Sequence, residues 1–549
     1  MEALYQGMIS LELLQQLREC VQERRIGEGI AVLDRERGQF ERIRPEERHA
    51  GMAVGCLAQW LDVGFQDAGA LARLLKKFDT GARQGLSLTE YVHLRMAEAL
   101  AAMRGEELTT ALRHLETVLA LGEETDDQKV MLIAVLWKAR CLRKAGEYEQ
   151  ALHVTRQGMQ LAAAQRLWPI KAVMQTLESW ILFQNGELKE AVRVLQEAEA
   201  VLRETDDWIT LGNIQSAYGR IALREGRYDH AMQYFEASID RFKKRESLAG
   251  YLARSLTNMA QAKRFLALQL RRNIDARWER QKLSGTIGAG REIKGKAAQL
   301  ERMYELLGSA QRDLAEADRI YKDAQNHHGA GNADVNLAQI YLDLDNLEEA
   351  EARANEAFDL GATKADFLLM CRARIVQAFV ANARYEDETG EGEDPSRFAQ
   401  LAHDCAREAV DLGERTQSRR LLAQAHICYG LTLVNGFFSQ TEAARAACSR
   451  AENYLGHDRH DALWQEVEIL RERILHGHVE DPNLRAWSQG SVGDKSLQEV
   501  VGEFEELLIR KVWEHEGRKV SRVAQRLSVS PKKVRRVLRH LGVLIEQGL

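Results

Sequence analysis

Apolar residues in the last fifty positions fall into two short registers. The first holds Val520, Val523, Ala524 and Leu527, and the second Val534, Val537, Leu538 and Leu541. Each follows the i, i+3, i+4, i+7 rhythm that gives a short helix one buried stripe. Between them, Ser530-Pro531 predicts the start of the second helix: serine suits an N-cap, and proline at the first helical position gives up no needed hydrogen bond. The polar face of that helix is then Lys532, Lys533, Arg535, Arg536 and Arg539. Upstream, a longer pattern repeats. Gly146, Gly186 and Gly226 are each followed five residues later by alanine, at 151, 191 and 231, and an earlier copy, Glu106 to Ala111, lacks the glycine. The alanines are 40 residues apart, and Asp345 to Ala350 is a later copy. Self-similarity at this length predicts stacked helix pairs, none able to bury its apolar face alone. The expected fold class is all-α.

These phrases resemble the tetratricopeptide repeat, in which a glycine ends the first helix and a small residue lets the second pack closely. Ala139, Gly219 and Ala338 match the small position of the first helix, and Leu142, Leu182 and Tyr341 its large position. Leu195 and Phe235 match the large position of the second helix. The period exceeds the usual one, so longer helices are expected. Residues 497 to 545 resemble the Fis-type helix-turn-helix that ends many bacterial transcription regulators. The resemblance rests on a leading amphipathic helix with Leu497, Val500, Val501, Phe504, Leu507, Leu508 and Val512, on the Gly517 turn, and on Val520 to Ala524, Leu527 and Arg539 to Gly542. Ser528 stands where such a turn usually has glycine, and serine in a left-handed conformation costs about 1 kcal/mol.

Charge sharpens the contrast between the two regions. From Arg510 to His540 there are eleven Lys or Arg against two Glu, in a chain whose net charge is −6. Positive charge gathered at one end of an acidic protein is the footprint of a nucleic-acid-binding module; the blander reading is a solvated basic helix. The 45% apolar content and five prolines in 549 residues suit a helix-rich chain. No run of eighteen apolar residues exists and no basic-then-apolar leader opens the sequence, so neither a membrane span nor a signal peptide is expected. Seven cysteines (20, 56, 141, 371, 405, 428 and 448) lie singly, which points to buried, reduced thiols and a cytoplasmic location.

Other stretches have plainer readings. Gly290 to Ala297 satisfies G-x-x-x-x-G-K, but the next residue is alanine rather than Ser or Thr, and a charged helix precedes it instead of a strand. His327-His328 before Gly-Ala-Gly reads as a helix C-terminus rather than a ligand pair. No metal site, no cofactor and no enzymatic constellation is expected. The predicted organisation is atypical helical repeats over 1–90 and a solenoid over 91–475, with an extended repeat near 271–300 and an acidic connector at 386–396. A linker over 476–496 and a Fis-type domain over 497–549 follow.

These readings converge on a DNA-binding transcriptional regulator. Duplex DNA would be held by Lys519, Arg522, Ser530, Lys532, Lys533, Arg535, Arg536 and Arg539, with Ser530 offering hydroxyl and amide to a phosphate. A homodimer is expected, because one module offers few cationic contacts. Phe504, Leu508 and Val512 form either its seam or simply part of the domain core. The ninth position of the tetratricopeptide frame, which that resemblance turns inward, holds Arg140, Trp180 and Arg220, with Arg224 one turn on. These suit an acidic or aromatic peptide or protein segment in the solenoid groove, or else Trp180 packs between helices and the arginines pair with neighbouring glutamates. The alternative function is a non-enzymatic scaffold whose basic helices dock a protein or RNA; a nucleotide-dependent activity at 285–297 is a third reading.

Overall fold

A computed structural model describes residues 9–60, 68–105, 107–125, 127–244, 249–284, 291–388, 395–416, 418–456, 461–476, 494–541 and 543. Among them the regular structure is entirely α-helical. The glycine loop ahead of Arg291, most of the acidic connector and most of the 476–496 linker lie outside the described residues. The chain divides into two compact units, Met1–Asn273 with Ile293–Arg471, and Ile274–Glu292 with Glu472–Leu549.

The first unit is a run of helix pairs. They are α6 (Leu88–Arg104) with α7 (Leu108–Thr125), α8 (Gln128–Ala145) with α9 (Tyr148–Ala164), α10 (Trp168–Asn185) with α11 (Leu188–Leu202), and α12 (Trp208–Arg224) with α13 (Tyr228–Phe242). After α14 (Ala249–Ser284) and α15 (Arg291–Asp323) come α16 (His327–Asp343) with α17 (Leu347–Lys364), and α18 (Phe367–Glu388) with α19 (Ser396–Glu414). The last pair is α20 (Arg419–Leu433) with α21 (Thr441–Leu455), closed by α22 (Leu463–His476). From α8 to α13 the helices run 15 to 18 residues, which with their short turns accounts for the 40-residue period.

The sequence marks do the expected physical work. Ala111, Ala151, Ala191, Ala231 and Ala350 are all fully buried, where a larger side chain would push the paired helices apart. Gly146 and Gly186 end their helices at φ 85° and 88°, a left-handed cap that a β-carbon disfavours. A β-carbon on Gly219 would lie 2.5 Å from the Phe235 ring, so that glycine sets how closely α12 and α13 approach. In α14 and α15 the helices lengthen to 36 and 33 residues, so α14 spans about 54 Å. His327-His328 opens α16 instead of closing a helix. Asn326 caps it, and Gly329 serves close packing, since a β-carbon there would meet Tyr321 at 2.3 Å.

Before the pairs come α1 (Leu11–Gln22), α2 (Ile26–Glu41), α3 (Ala50–Trp60), α4 (Ala68–Lys77) and the single turn α5 (Thr80–Gln84). All eleven residues of α3 are buried. Its Gly51 and Gly55 face the backbone of α6 so closely that a β-carbon would sit 2.5 and 2.4 Å from the carbonyl oxygens of Glu90 and His93.

Successive first helices touch one another (α6 with α8, α8 with α10, α10 with α12, α16 with α18, α18 with α20), so they form the inner wall of the unit. That wall closes on itself. Arg18 Nη2 donates to both carboxylate oxygens of Asp127, at 2.7 and 3.0 Å, and Arg24 donates to Asp207 at 2.6 Å, 183 residues away. At the other end Arg224 Nε donates to Asp461 at 2.7 Å across 237 residues, and Arg420 holds the same carboxylate at 3.0 and 3.1 Å.

In the second unit lie α23 (Leu497–His515), α24 (Val520–Arg526) and α25 (Pro531–His540). Ser496 and Glu499 make a reciprocal capping box at the start of α23. The core of the three helices is Ile509, Trp513, Val523, Ala524, Val534, Val537 and Leu538, with Val512, Val520, Leu527, Val529 and Leu541 packed against it.

Candidate nucleic-acid interface and inner groove

Two turns fix the angles of the C-terminal helices. Gly517 and Arg518 both take positive φ between α23 and α24, at 62° and 60°. Between α24 and α25, Ser528 does so at 53°, and the Val529 amide donates back to the Ala524 carbonyl at 3.0 Å. Serine therefore occupies the left-handed slot that the sequence assigned it. Ser530 caps α25: its hydroxyl oxygen accepts from the Lys533 amide at 3.2 Å, and Pro531 takes the first turn.

Burial of Val534, Val537 and Leu538 turns Lys532, Arg535, Arg536 and Arg539 outward, all exposed. Lys519 and Arg522 are exposed on α24. Among the described residues no hydrogen bond or ion pair reaches the side chain of Lys519, Arg522, Lys532, Arg535 or Arg536. Lys533 behaves differently. It is half-buried, and its ammonium donates to Glu505 on α23 at 2.6 Å, because its place in the helical turn faces that helix rather than solvent.

On α23 the apolar set read in the sequence left out the two residues that are buried. Ile509 and Trp513, absent from the apolar set read in the sequence, are buried, whereas Leu497, Val501, Phe504 and Leu508 are exposed. The unexpected inward face follows from a helical stripe that passes through 509, 512 and 513. Of the expected seam, Val512 belongs to the core, while Phe504 and Leu508 stay outside.

In the first unit the four groove residues separate. Arg140 lies half-buried, its guanidinium 4.7 Å from the Trp137 ring one turn back. Trp180 is half-buried between α8, α9 and α10: Tyr148 meets it edge-on at 5.4 Å, and Arg143, not Arg140, stands over it at 4.7 Å. Arg224 is buried, held by Asp461 and by the Phe183 carbonyl, so its donors are spent on closing the wall. Burial works against the Asp461 charge, yet the Arg420 and Arg224 guanidiniums hold its carboxyl below the usual range. Arg220, one turn before Arg224, has no such partner. Both guanidiniums lie against the Phe183 ring, at 5.8 and 5.2 Å, but Arg220 Nε is buried and unbonded. Burial, with the Arg254 and Arg143 charges nearby, pushes the Arg220 pKa down to about 9.

Sequence reasoning thus missed Arg143, Phe183 and Arg254. For the first two the signal was available, since 143 and 183 share the 40-residue spacing of 140 and 180. All seven cysteines are buried and unpaired, and burial pushes thiols such as Cys56 up to about 12, which makes them packing residues rather than nucleophiles. Among the described residues no cluster of metal-ligating side chains occurs, and no helix is long and apolar enough to cross a membrane.

Comparison with known proteins places one match to the tetratricopeptide repeat over residues 213–244, the segment of α12 and α13. No curated protein matches the chain. Among solved structures, the apo form of the quorum sensor NprR from B. thuringiensis is 16% identical, covers 64% of this chain and 97% of its own, and has a TM-score of 0.39. NprR in complex with its cognate peptide NprX is 14% identical, covering 72% and 98%, with a TM-score of 0.43. A human IFIT1 dimer with m7Gppp-AAAA is 11% identical, covering 81% and 95%, with a TM-score of 0.41.

Proposed function

We propose that this protein is a DNA-binding transcriptional regulator: a tetratricopeptide-like solenoid that receives a peptide or protein signal, followed by a Fis-type helix-turn-helix that carries it to duplex DNA. The observation that carries the reading is α25. One face of that helix is sealed on the core by Val534, Val537 and Leu538, and the other offers Lys532, Arg535 and Arg536 to solvent with no acidic partner among the described residues. A helix anchored on one side and cationic on the other suits a major groove. Lys519 and Arg522 reach the flanking phosphates from α24, and Arg539 extends the face toward the backbone. Ser530 offers a hydroxyl hydrogen while its oxygen caps the helix. Lys533 is left out of the contact set, being tied to Glu505.

The regulator acts without catalysis and without a cofactor. It binds DNA as a homodimer, joined through the exposed stripe Leu497, Val501, Phe504 and Leu508, which runs along one side of α23 at helical spacing. Phe504→Glu is expected to convert a dimer to a monomer by light scattering; a wild-type chain that is monomeric with and without DNA removes the dimer.

The main test is fluorescence anisotropy of the full-length protein on duplex DNA across a salt series. About five phosphate contacts per module give a log–log slope of about −4 to −5 per module. A slope near zero, or equal affinity for duplex DNA and for an acidic polypeptide, would overturn the DNA reading in favour of a protein scaffold.

A further inference from the structure

Several buried or half-buried cations in the first unit come with counter-charges. Arg24 has Asp207, Arg224 and Arg420 share Asp461, and Arg264 holds Asp343 through both nitrogens at 2.5 and 3.1 Å. Arg220 lacks one. Its Nε is buried and unbonded, and no ion pair reaches it among the described residues. Its charged neighbours among the described residues are Arg254 and Arg143, neither of which offsets its charge. A desolvated guanidinium beside two others is unfavourable unless an anion joins them.

The surroundings are built to receive one. Trp180 lies under Arg143 and Phe183 under Arg220, giving flat apolar walls that keep the guanidiniums in place by cation–π contact. Arg254 is set by Asn213, whose side-chain oxygen accepts from it at 2.6 Å, and by the Tyr251 ring at 5.1 Å. The cations are therefore fixed before any ligand arrives, which lowers the ordering cost of binding. We infer that Arg220, flanked by Arg143 and Arg254 on the inner wall of α8, α12 and α14, is a binding site for an oxyanion. The chemistry shared by a carboxylate and a phosphate fits it, since each accepts parallel N–H donors from a guanidinium. The inference deepens the signal-receiving role and rests on it only for biological meaning: the oxyanion is the charged group of the effector, and the aromatic rings take its apolar part.

The test uses the full-length protein, with glutarate and inorganic phosphate as probes against sodium chloride at matched ionic strength. Each anion is expected to raise the Tm by about 2 °C at a concentration well above its Kd, and not to do so in Arg220→Gln. The larger rise tells whether a carboxylate or a phosphate is preferred. Arg220→Met, without anion, is expected to melt at or above the wild-type temperature, because it removes an uncompensated buried charge. The same rise in Arg220→Gln as in wild type, no rise with either anion, or an Arg220→Met that melts several degrees lower would each overturn the site. Anion binding that leaves DNA affinity unchanged counts against the sensing role and keeps the site. A DNA response to a cell extract that survives Arg220→Gln removes the site from the sensing role.

Discussion

Arg224 and Arg535 both sit on amphipathic helices, and the protein treats them in opposite ways. Arg224 is buried, its guanidinium held by a carboxylate and a carbonyl from distant parts of the chain. Arg535 is exposed, with no partner among the described residues. In the first unit, cations such as Arg24, Arg224 and Arg420 are structural ties whose removal leaves an acid stranded. On α24 and α25 they contribute little to folding, and their charge is available to a ligand. The same residue type therefore separates stability from recognition, and substitutions divide accordingly.

The largest effect is expected at Asp461. Asp461→Ala leaves Arg224 and Arg420 without their shared carboxylate, at a cost of about 3–5 kcal/mol in denaturant unfolding. A loss below about 1 kcal/mol would mean the wall-closing ion pairs are solvated in practice, and the contrast with the exposed cations would disappear. Next comes Arg535→Ala with Arg536→Ala, expected to weaken DNA binding at least about tenfold while stability stays within about 0.5 kcal/mol. Unchanged affinity at moderate salt refutes the recognition half of the contrast.

A smaller effect distinguishes two neighbours on α25. Lys532→Ala is expected to weaken DNA binding about threefold or more, and Lys533→Ala less than twofold, because Lys533 already faces Glu505. Equal losses would mean that the Glu505 pair opens when DNA is present. A further difference is a pH dependence. His93 and His426 are buried, and burial first, with Arg18 beside one and Arg450 beside the other, pushes both pKa values down to about 4. Unfolded histidine takes up a proton below about 6.5. Between roughly pH 6.5 and 4 the unfolded state thus binds more protons, and stability falls as pH falls. His93→Gln with His426→Gln is expected to flatten the fall in that window; an unaltered profile assigns it to other groups.

What could be read in the sequence was local. The repeat showed itself because glycine caps and buried alanines are imposed by contacts within one pair, and those recur every 40 residues. Most of the C-terminal core was legible for the same reason, through Ala524, Val534 and Val537. Ile509 and Trp513 were missed because the apolar residues of α23 cover more than one face, and only contact with α24 and α25 decides which turns inward. The role of Arg224 was illegible because its partner lies 237 residues away, a pairing with no periodic signal. His327-His328 was misread because Gly329 and Gly331 after it are there for close packing against Tyr321 and Leu369, not for a turn.

The ties at Asp207 and Asp461 alter how the first unit must fold. A solenoid stabilised only between neighbours melts as a chain of weakly coupled repeats, free to nucleate anywhere and fray from its ends. Here residues 183 and 237 positions apart are joined through buried charge pairs. Such contacts raise the contact order above that of an open repeat array, which slows folding, and the terminal repeats cannot fray without breaking their ties to the central ones. The unit should then gain or lose its structure in one cooperative step, and a disturbance at either end is felt in the middle of the array.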